Sequence, residues 1–227
     1  MVLQRNANTA IWGKAEPGQV VQLEFLGERY EATANEQGAW KIVLSGLAPG
    51  GPHRMVLRAG NETKEIDDIL IGDVWVLGGQ SNMELPINRT LDLLADEVRG
   101  TDLPHIRQFA VPQRYDFHAP VEELEGGRWI AATGDAVMEF SASGFFAARD
   151  LYARYGVSIG LVMTAVGGTP VEAWMSEPTL RTFGSYDETL ERNKDDAYVA
   201  ATIRSDMERQ DAWYADLNAR DSGLQEG

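Results

Sequence analysis

The residues with most chemical promise lie in one short run, Gly78-Gly79-Gln80-Ser81-Asn82-Met83-Glu84. Glycine permits a sharp strand-to-helix turn and close approach of a substrate. A serine on such a turn can expose its Oγ while nearby backbone N–H groups face a developing oxyanion. The geometry suits an attacking serine, although on spacing alone a Gly-Gly-Gln-Ser turn is more often a plain helix cap. A serine hydroxyl needs a base to take its proton, and the chain has three histidines, His53, His105 and His118. Asp102-Leu103-Pro104-His105 has an Asp-x-x-His spacing, but His105 and His118, flanking Pro104 and Pro120, read as lying in a loop. Cysteine is absent, which removes thiolate catalysis, disulfides and zinc-thiolate sites and leaves the redox compartment open.

The elements that must hold this turn are legible around it. Up to about residue 70 the chain reads as short, closely spaced strands. Val21, Leu23 and Phe25 alternate with Gln22 and Glu24, and Trp40, Ile42 and Leu44 alternate with Lys41 and Val43. Turn residues punctuate them at Pro17-Gly18, Gly27-Glu28, Asn35 to Gly38, Pro49 to Pro52 and Gly60-Asn61, which fits a small antiparallel β-sandwich. After Asp67-Asp68 the runs Ile69-Leu70-Ile71 and Asp73 to Leu77 become nearly continuously apolar, as in strands buried on both faces of a parallel sheet. A helical stripe follows, Phe145, Ala148, Leu151, Tyr152 and Tyr155, with a Ser141 cap and a stop at Gly156. Val157 to Ala165 is a second buried strand and ends in Gly167-Gly168-Thr169-Pro170. Both glycine turns therefore follow buried strands, where open parallel sheets gather their ligands. Residues 187 to about 220 predict a charged amphipathic helix with Ile203, Met207, Tyr214 and Leu217 on one stripe, a pattern more often packed in a core than used as a cofactor box. Asp195-Asp196 reads as a solvated face, not a metal site.

Composition narrows the function classes. With 227 residues, 44% hydrophobic and 24% charged, the chain can bury a sizeable core in one or two domains. Its 35 acidic residues against 20 Lys and Arg give a formal charge of −15, which repels a phosphate backbone, so no nucleic-acid partner is expected. No run approaches the roughly 20 apolar residues of a membrane span, and no signal peptide is visible. Periplasmic, secreted and cytoplasmic placements are all compatible.

Gly79-Gln80-Ser81-Asn82-Met83-Glu84 resembles the nucleophile block of the sialate O-acetylesterase family within the SGNH hydrolases. The likeness extends in family order through Met1 to Arg5, Ile71-Gly72-Asp73-Val74-Trp75, Ile106-Arg107-Gln108-Phe109, Phe140 to Ala147, and Gly167-Gly168-Thr169-Pro170-Val171-Glu172-Ala173-Trp174. It implies a β-sandwich (Ig-like) domain over residues 1–69, the N-terminal part of a flavodoxin-like, three-layer α/β/α SGNH domain over 70–180, and a charged helical segment over 181–227. It further implies that Ser81 attacks an acetyl ester on a sugar hydroxyl, without cofactor or metal. Ser81 N–H and the Gly167-Gly168 turn would stabilise the oxyanion, and Gln80, Asn82 and Glu172 would contact substrate. Each of these three also has an ordinary role: Gln80 and Asn82 can bond the turn's own backbone, and Glu172 can be a buried carboxylate holding Arg89 or Arg107.

The family's late Asp-x-x-His segment is not in this chain, and Asp102 to His105 stands in the wrong order to replace it. Three accounts follow: a longer polypeptide, or a second chain, whose Asp-x-x-His completes the esterase; a non-catalytic carbohydrate-binding or scaffold fragment; or a different hydrolase recruiting His105. Trp12, Trp40, Trp129, Trp174 and Trp213 are the residues that could stack on a sugar face in the second account.

Overall fold

Alternating burial builds the first part of the molecule. The computed structural model describes residues 1–221 and 223. It opens with β1 (Val2–Gln4), β2 (Thr9–Lys14), β3 (Val20–Phe25), β4 (Glu28–Thr33), β5 (Ala39–Leu44), β6 (Gly50–Ala59) and the 16-residue β7 (Glu62–Leu77). β3 pairs antiparallel with β4 and β6, β6 pairs antiparallel with β7, and β2 and β5 form a separate two-stranded sheet. Val21, Leu23 and Phe25 of β3 and Trp40, Ile42 and Leu44 of β5 point into one core, joined by Met55, Ile69 and Ile71. Every second residue of these strands is thus removed from water.

β7 gains further partners partway along. Asp68 takes a left-handed φ of 57°, and beyond it β7 pairs in parallel with β1, Val2 opposite Leu70. From Gly72 to Leu77 it pairs in parallel with a strand from much later in the chain. α1 (Ser81–Glu84), α2 (Leu91–Val98), β8 (Asp102–Ala110), β9 (Trp129–Thr133) and α3 (Ala142–Tyr155) come between, and that later strand is β10 (Ser158–Met163). β10 also pairs in parallel with β8, and β8 pairs antiparallel with β9, giving one eight-stranded sheet in the order β4-β3-β6-β7-β10-β8-β9 with β1 beside β7. The mixed α/β class expected from the sequence is the one observed. β7 passes unbroken through residues 69 and 70, where the sequence reading sets a domain boundary, so one strand carries both the antiparallel pairing with β6 and the parallel pairings with β1 and β10.

α3 packs on this sheet. Ser141 Oγ accepts from Gly144 N at 3.1 Å to cap it, and Gly156 ends it with φ 62°. Phe145 and Ala148 face Leu77, Ile106, Phe140, Ile159 and Leu161 in a second core. Gly144 makes the contact close: a Cβ there would lie 2.4 Å from Leu77 Cδ1. From Asp73 to Leu77, β7 has β10 as its one strand neighbour among the described residues, and Trp75 and Val76 on this stretch are 50% and 68% exposed.

The chain divides into two compact units, the first made of 1–112 with 124–169 and the second of 113–123 with residues from 170 onward. The second unit carries α4 (Glu177–Arg181), α5 (Asp187–Asn193) and α6 (Asp196–Arg220). Arg181 ties α4 to α5, bonding Glu177 Oε1 at 2.6 Å, Glu191 Oε1 at 2.5 Å and Asp187 Oδ1 at 3.3 Å. The helix predicted over 187–220 forms as α5 and α6, but the stripe of Ile203, Met207, Tyr214 and Leu217 is exposed, not packed in a core. Among the described residues no helix is long and apolar enough to cross a membrane.

Candidate active site

Ser81 sits where its strand delivers it. β7 ends at Leu77, Gly79 takes a φ of 128° that an L side chain rarely adopts, and α1 starts at Ser81 after an extended Gln80. Ser81 is exposed, and its hydroxyl has no hydrogen-bond partner among the described residues. A four-residue helix has little stability of its own, and α1 is held by the N-terminus of α3. Ser141 Oγ donates to Met83 O at 2.6 Å, Ser143 Oγ donates to Asn82 O at 3.2 Å, and Ala142 N donates to Leu85 O at 2.8 Å. Buried Gln108 completes the support, since its Oε1 accepts from Ser141 N at 2.9 Å and its Nε2 donates to Glu139 O at 3.2 Å. The local sequence identifies Ser141 as a cap but not that the same hydroxyl braces the serine turn.

The second glycine turn lies against the first. Thr164 N donates to Leu77 O at 3.0 Å, Val166 N donates to Gly79 O at 3.0 Å, and Gln80 Nε2 donates to Thr169 O. Gly167 N donates to Glu84 Oε2 at 2.5 Å, and a Cβ on Gly167 would stand 3.5 Å from Ser81 Cβ. Ser81, Gln80, Asn82, Gly167 and Gly168 are therefore neighbours. One expectation changes: the Gly167 N–H, assigned from the sequence to an oxyanion hole, is already committed to the Glu84 carboxylate. The N–H groups of Ser81 and Gly168 have no protein partner among the described residues. Glu84 stands in the sequence motif with nothing there to indicate its role. Its Ser-x-x-Glu spacing is that of a capping box, which would send the carboxylate back to its own helix; it reaches the neighbouring turn instead.

Glu172 belongs to the second unit, where it accepts from Tyr186 Oη at 2.7 Å. That bond, helped by its own backbone N–H, holds its carboxyl below the usual range, with burial opposing. The Arg107 guanidinium is buried and donates to Asp68 O and Asp68 Oδ1, both at 2.7 Å. Of the five tryptophans considered for stacking, Trp40 is buried, Trp129 packs on Phe109 with centroids 5.8 Å apart, and Trp12, Trp174 and Trp213 are 63%, 44% and 57% exposed.

Neither histidine of the first unit can serve Ser81. His105 lies on β8, not in a loop. Ile106 pairs with Ile159, which pairs with Asp73, so His105 is level with Gly72. Five residues at about 3.3 Å each put it roughly 17 Å short of the end of β7. There its Nδ1 meets Ser158 Oγ at 3.1 Å and its ring stacks on Tyr152. The account that recruits His105 is thereby excluded. His53 pairs opposite Ile69, farther still from the serine turn. His118, in the second unit, bonds Asp196 Oδ1 at 2.9 Å, which raises its pKa, with Asp116 adding to the effect.

Comparison with known proteins agrees with this geometry. The model of the carbohydrate esterase, sialic acid-specific acetylesterase family matches residues 71–205, more than half of the chain. The sialate O-acetylesterases of Homo sapiens and Mus musculus are 28% and 29% identical over 202 residues, 81% of this chain and 38% and 37% of theirs. A crystal structure of a carbohydrate acetylesterase from Xanthomonas citri superposes with a TM-score of 0.74 at 37% identity, covering 79% of this chain and 41% of that one. The chain thus spans about two-fifths of the length of these relatives. A serine turn at the carboxyl end of a parallel strand, a second glycine turn zipped beside it, and the family match across both place the chain in the family of sialic acid-specific acetylesterases among the carbohydrate esterases.

Proposed function

We propose that this chain carries the nucleophile half of a carbohydrate O-acetylesterase that removes acetyl groups from sugar hydroxyls. The observation that carries the reading is the exposed, unbonded Ser81 hydroxyl at the end of β7, with the N–H groups of Ser81 and Gly168 beside it, both without a partner among the described residues. Ser81 Oγ bonds to the acetyl carbonyl carbon and its proton passes to a base. The tetrahedral oxyanion collapses, the bond to the sugar oxygen breaks, and that oxygen takes the proton. Water then cleaves the acetyl-enzyme and releases acetate. Each well-aimed N–H donor on the oxyanion contributes about 3 kcal/mol to the transition state. Asn82 beside the serine, Gln80 and Glu172 are proposed to contact the sugar, with Gln80 also spacing the two turns.

The base and its carboxylate are proposed to come from an Asp-x-x-His segment outside this sequence, in the remainder of the same polypeptide or in a second chain. The positions of His53 and His105 support this, because neither reaches the serine. In the same reading, residues 1–69 form an Ig-like β-sandwich domain, 70–180 the first part of an SGNH domain, and 181–227 a helical lead to the remainder.

Purified native protein, with whatever polypeptide accompanies it, tests the proposal on 4-nitrophenyl acetate. Ser81→Ala is expected to abolish turnover, and brief exposure to substrate is expected to leave acetyl on the Ser81 peptide. An unchanged rate in Ser81→Ala would remove the esterase reading in favour of a sugar-binding one, for which exposed Trp12 is the platform to examine next.

A further inference from the structure

We propose that Glu84 is a positioning residue that clamps the second glycine turn onto the nucleophile turn, and that Gly167 is glycine in order to admit this clamp, not to donate to an oxyanion. The inference rests on the Ser81 reading and deepens it. Ser81 and Glu84 are the first and last residues of α1, one turn apart on a common face, so a force on the Glu84 carboxylate is transmitted to the nucleophile. That carboxylate accepts from Gly167 N at 2.5 Å, a backbone donor on a charged acceptor.

The rest of the seam shows why the clamp sets geometry. Backbone bonds join the two segments at Leu77 with Thr164 and at Gly79 with Val166, in a continuation of the strand ladder. Past Gly79 that ladder stops because one segment turns into α1. From there side chains carry the registry, among them Gln80 on Thr169 O and Glu84 on Gly167 N. Glu84 is the one with a charge, and it fixes the residue immediately before Gly168, whose N–H is the available donor on this turn among the described residues. Gly167 does not carry a left-handed φ, so its backbone would accept alanine. The obstacle is the clamp, since a Cβ would stand 2.6 Å from Glu84 Oε2.

The test uses native protein and three variants, Glu84→Gln, Gly167→Ala and the pair. Glu84→Gln keeps the shape and removes the charge. It is expected to lower kcat about 10-fold, because a neutral amide acceptor holds the Gly167 turn less firmly than the carboxylate does, with KM within about twofold. Gly167→Ala is expected to lose a similar factor by displacing the carboxylate, and the double variant to lose no more than the worse single one. A readout independent of turnover comes from glycine-selective labelling: the Gly167 amide proton is expected far downfield in the wild type and shifted upfield in Glu84→Gln. If Ser81→Ala abolishes turnover while Glu84→Gln stays within twofold of wild-type kcat, or if the two single losses multiply in the pair, the clamp is wrong and the esterase reading stands. If Ser81→Ala leaves the rate unchanged, the esterase reading fails while the amide shift still reports the contact. Should Gly167→Ala not fold, the isosteric Glu84→Gln decides alone.

Discussion

At the scale of single residues, the polar groups buried in this chain hold joints, and Arg107 shows how. It lies almost out of water on β8 and bonds both the backbone and the carboxylate of Asp68, the αL residue just before β7 takes up β1. Truncating it would leave Asp68 O and Oδ1 without these donors, so Arg107→Gln is expected to cost about 2 kcal/mol in urea unfolding with an unchanged m-value. The hydrogen bond from Arg107 holds the Asp68 carboxyl below its ordinary range, against a smaller opposing effect of burial. A carboxyl lowered in the folded state contributes its full stability above its unfolded pKa and loses it as pH falls through the folded value. Wild type should therefore lose more stability than Asp68→Asn on acidification from neutral pH, and parallel acid titrations of the two would check this. Neither role is legible in the sequence, which offers Glu172 as readily as Asp68 for a partner to Arg107, because a strand residue's partner depends on a register that no local pattern encodes.

At the scale of elements, α3 acts as the bracket of the site. Its cap serine braces α1, and one turn before the sheet-facing Ala148 stands Gly144, pressed on Leu77 just ahead of the serine turn. Gly144→Val is expected to cost about 1–3 kcal/mol as overpacking. It should also lower kcat by disturbing the strand end that delivers Ser81, whereas Arg154→Ala, at the far end of the same helix, should leave kcat unchanged and serves as the control. Thermal melts with rates at a fixed temperature below all the transitions would separate the effect on folding from the effect on the site. This helix is the most legible element, since cap, stripe and αL stop all lie in the local sequence. β8 is the least legible. Pro104 argues against a strand, and the structure admits it because the β8 and β9 pairing is irregular between Leu103 and Arg107 and the pairing with β10 starts at Ile106. No ladder bond is asked of the proline nitrogen. The serine turn is legible as a motif, whereas its clamp is not, because Glu84 acts across 83 residues of chain.

At the scale of the whole molecule, the mixed α/β class is legible from the change of apolar period near Asp68, and the sharing of β7 is not. A period marks where burial changes from one face to two, not whether the backbone stops there. The open stretch of that same strand has a consequence for handling the protein. Among the described residues, β10 is the one strand paired with exposed Trp75 and Val76, Gln4 Oε1 takes up the Val74 N–H on the open edge, and beyond it no lysine, proline or bulge discourages a neighbour, which is the profile of a template for sheet growth between molecules. Concentrated solutions of this 227-residue chain alone are expected to associate through strand-to-strand contact, and Val76→Lys to delay that association, as light scattering against time would record. The strand that presents the nucleophile is thus also a strand open to misassembly.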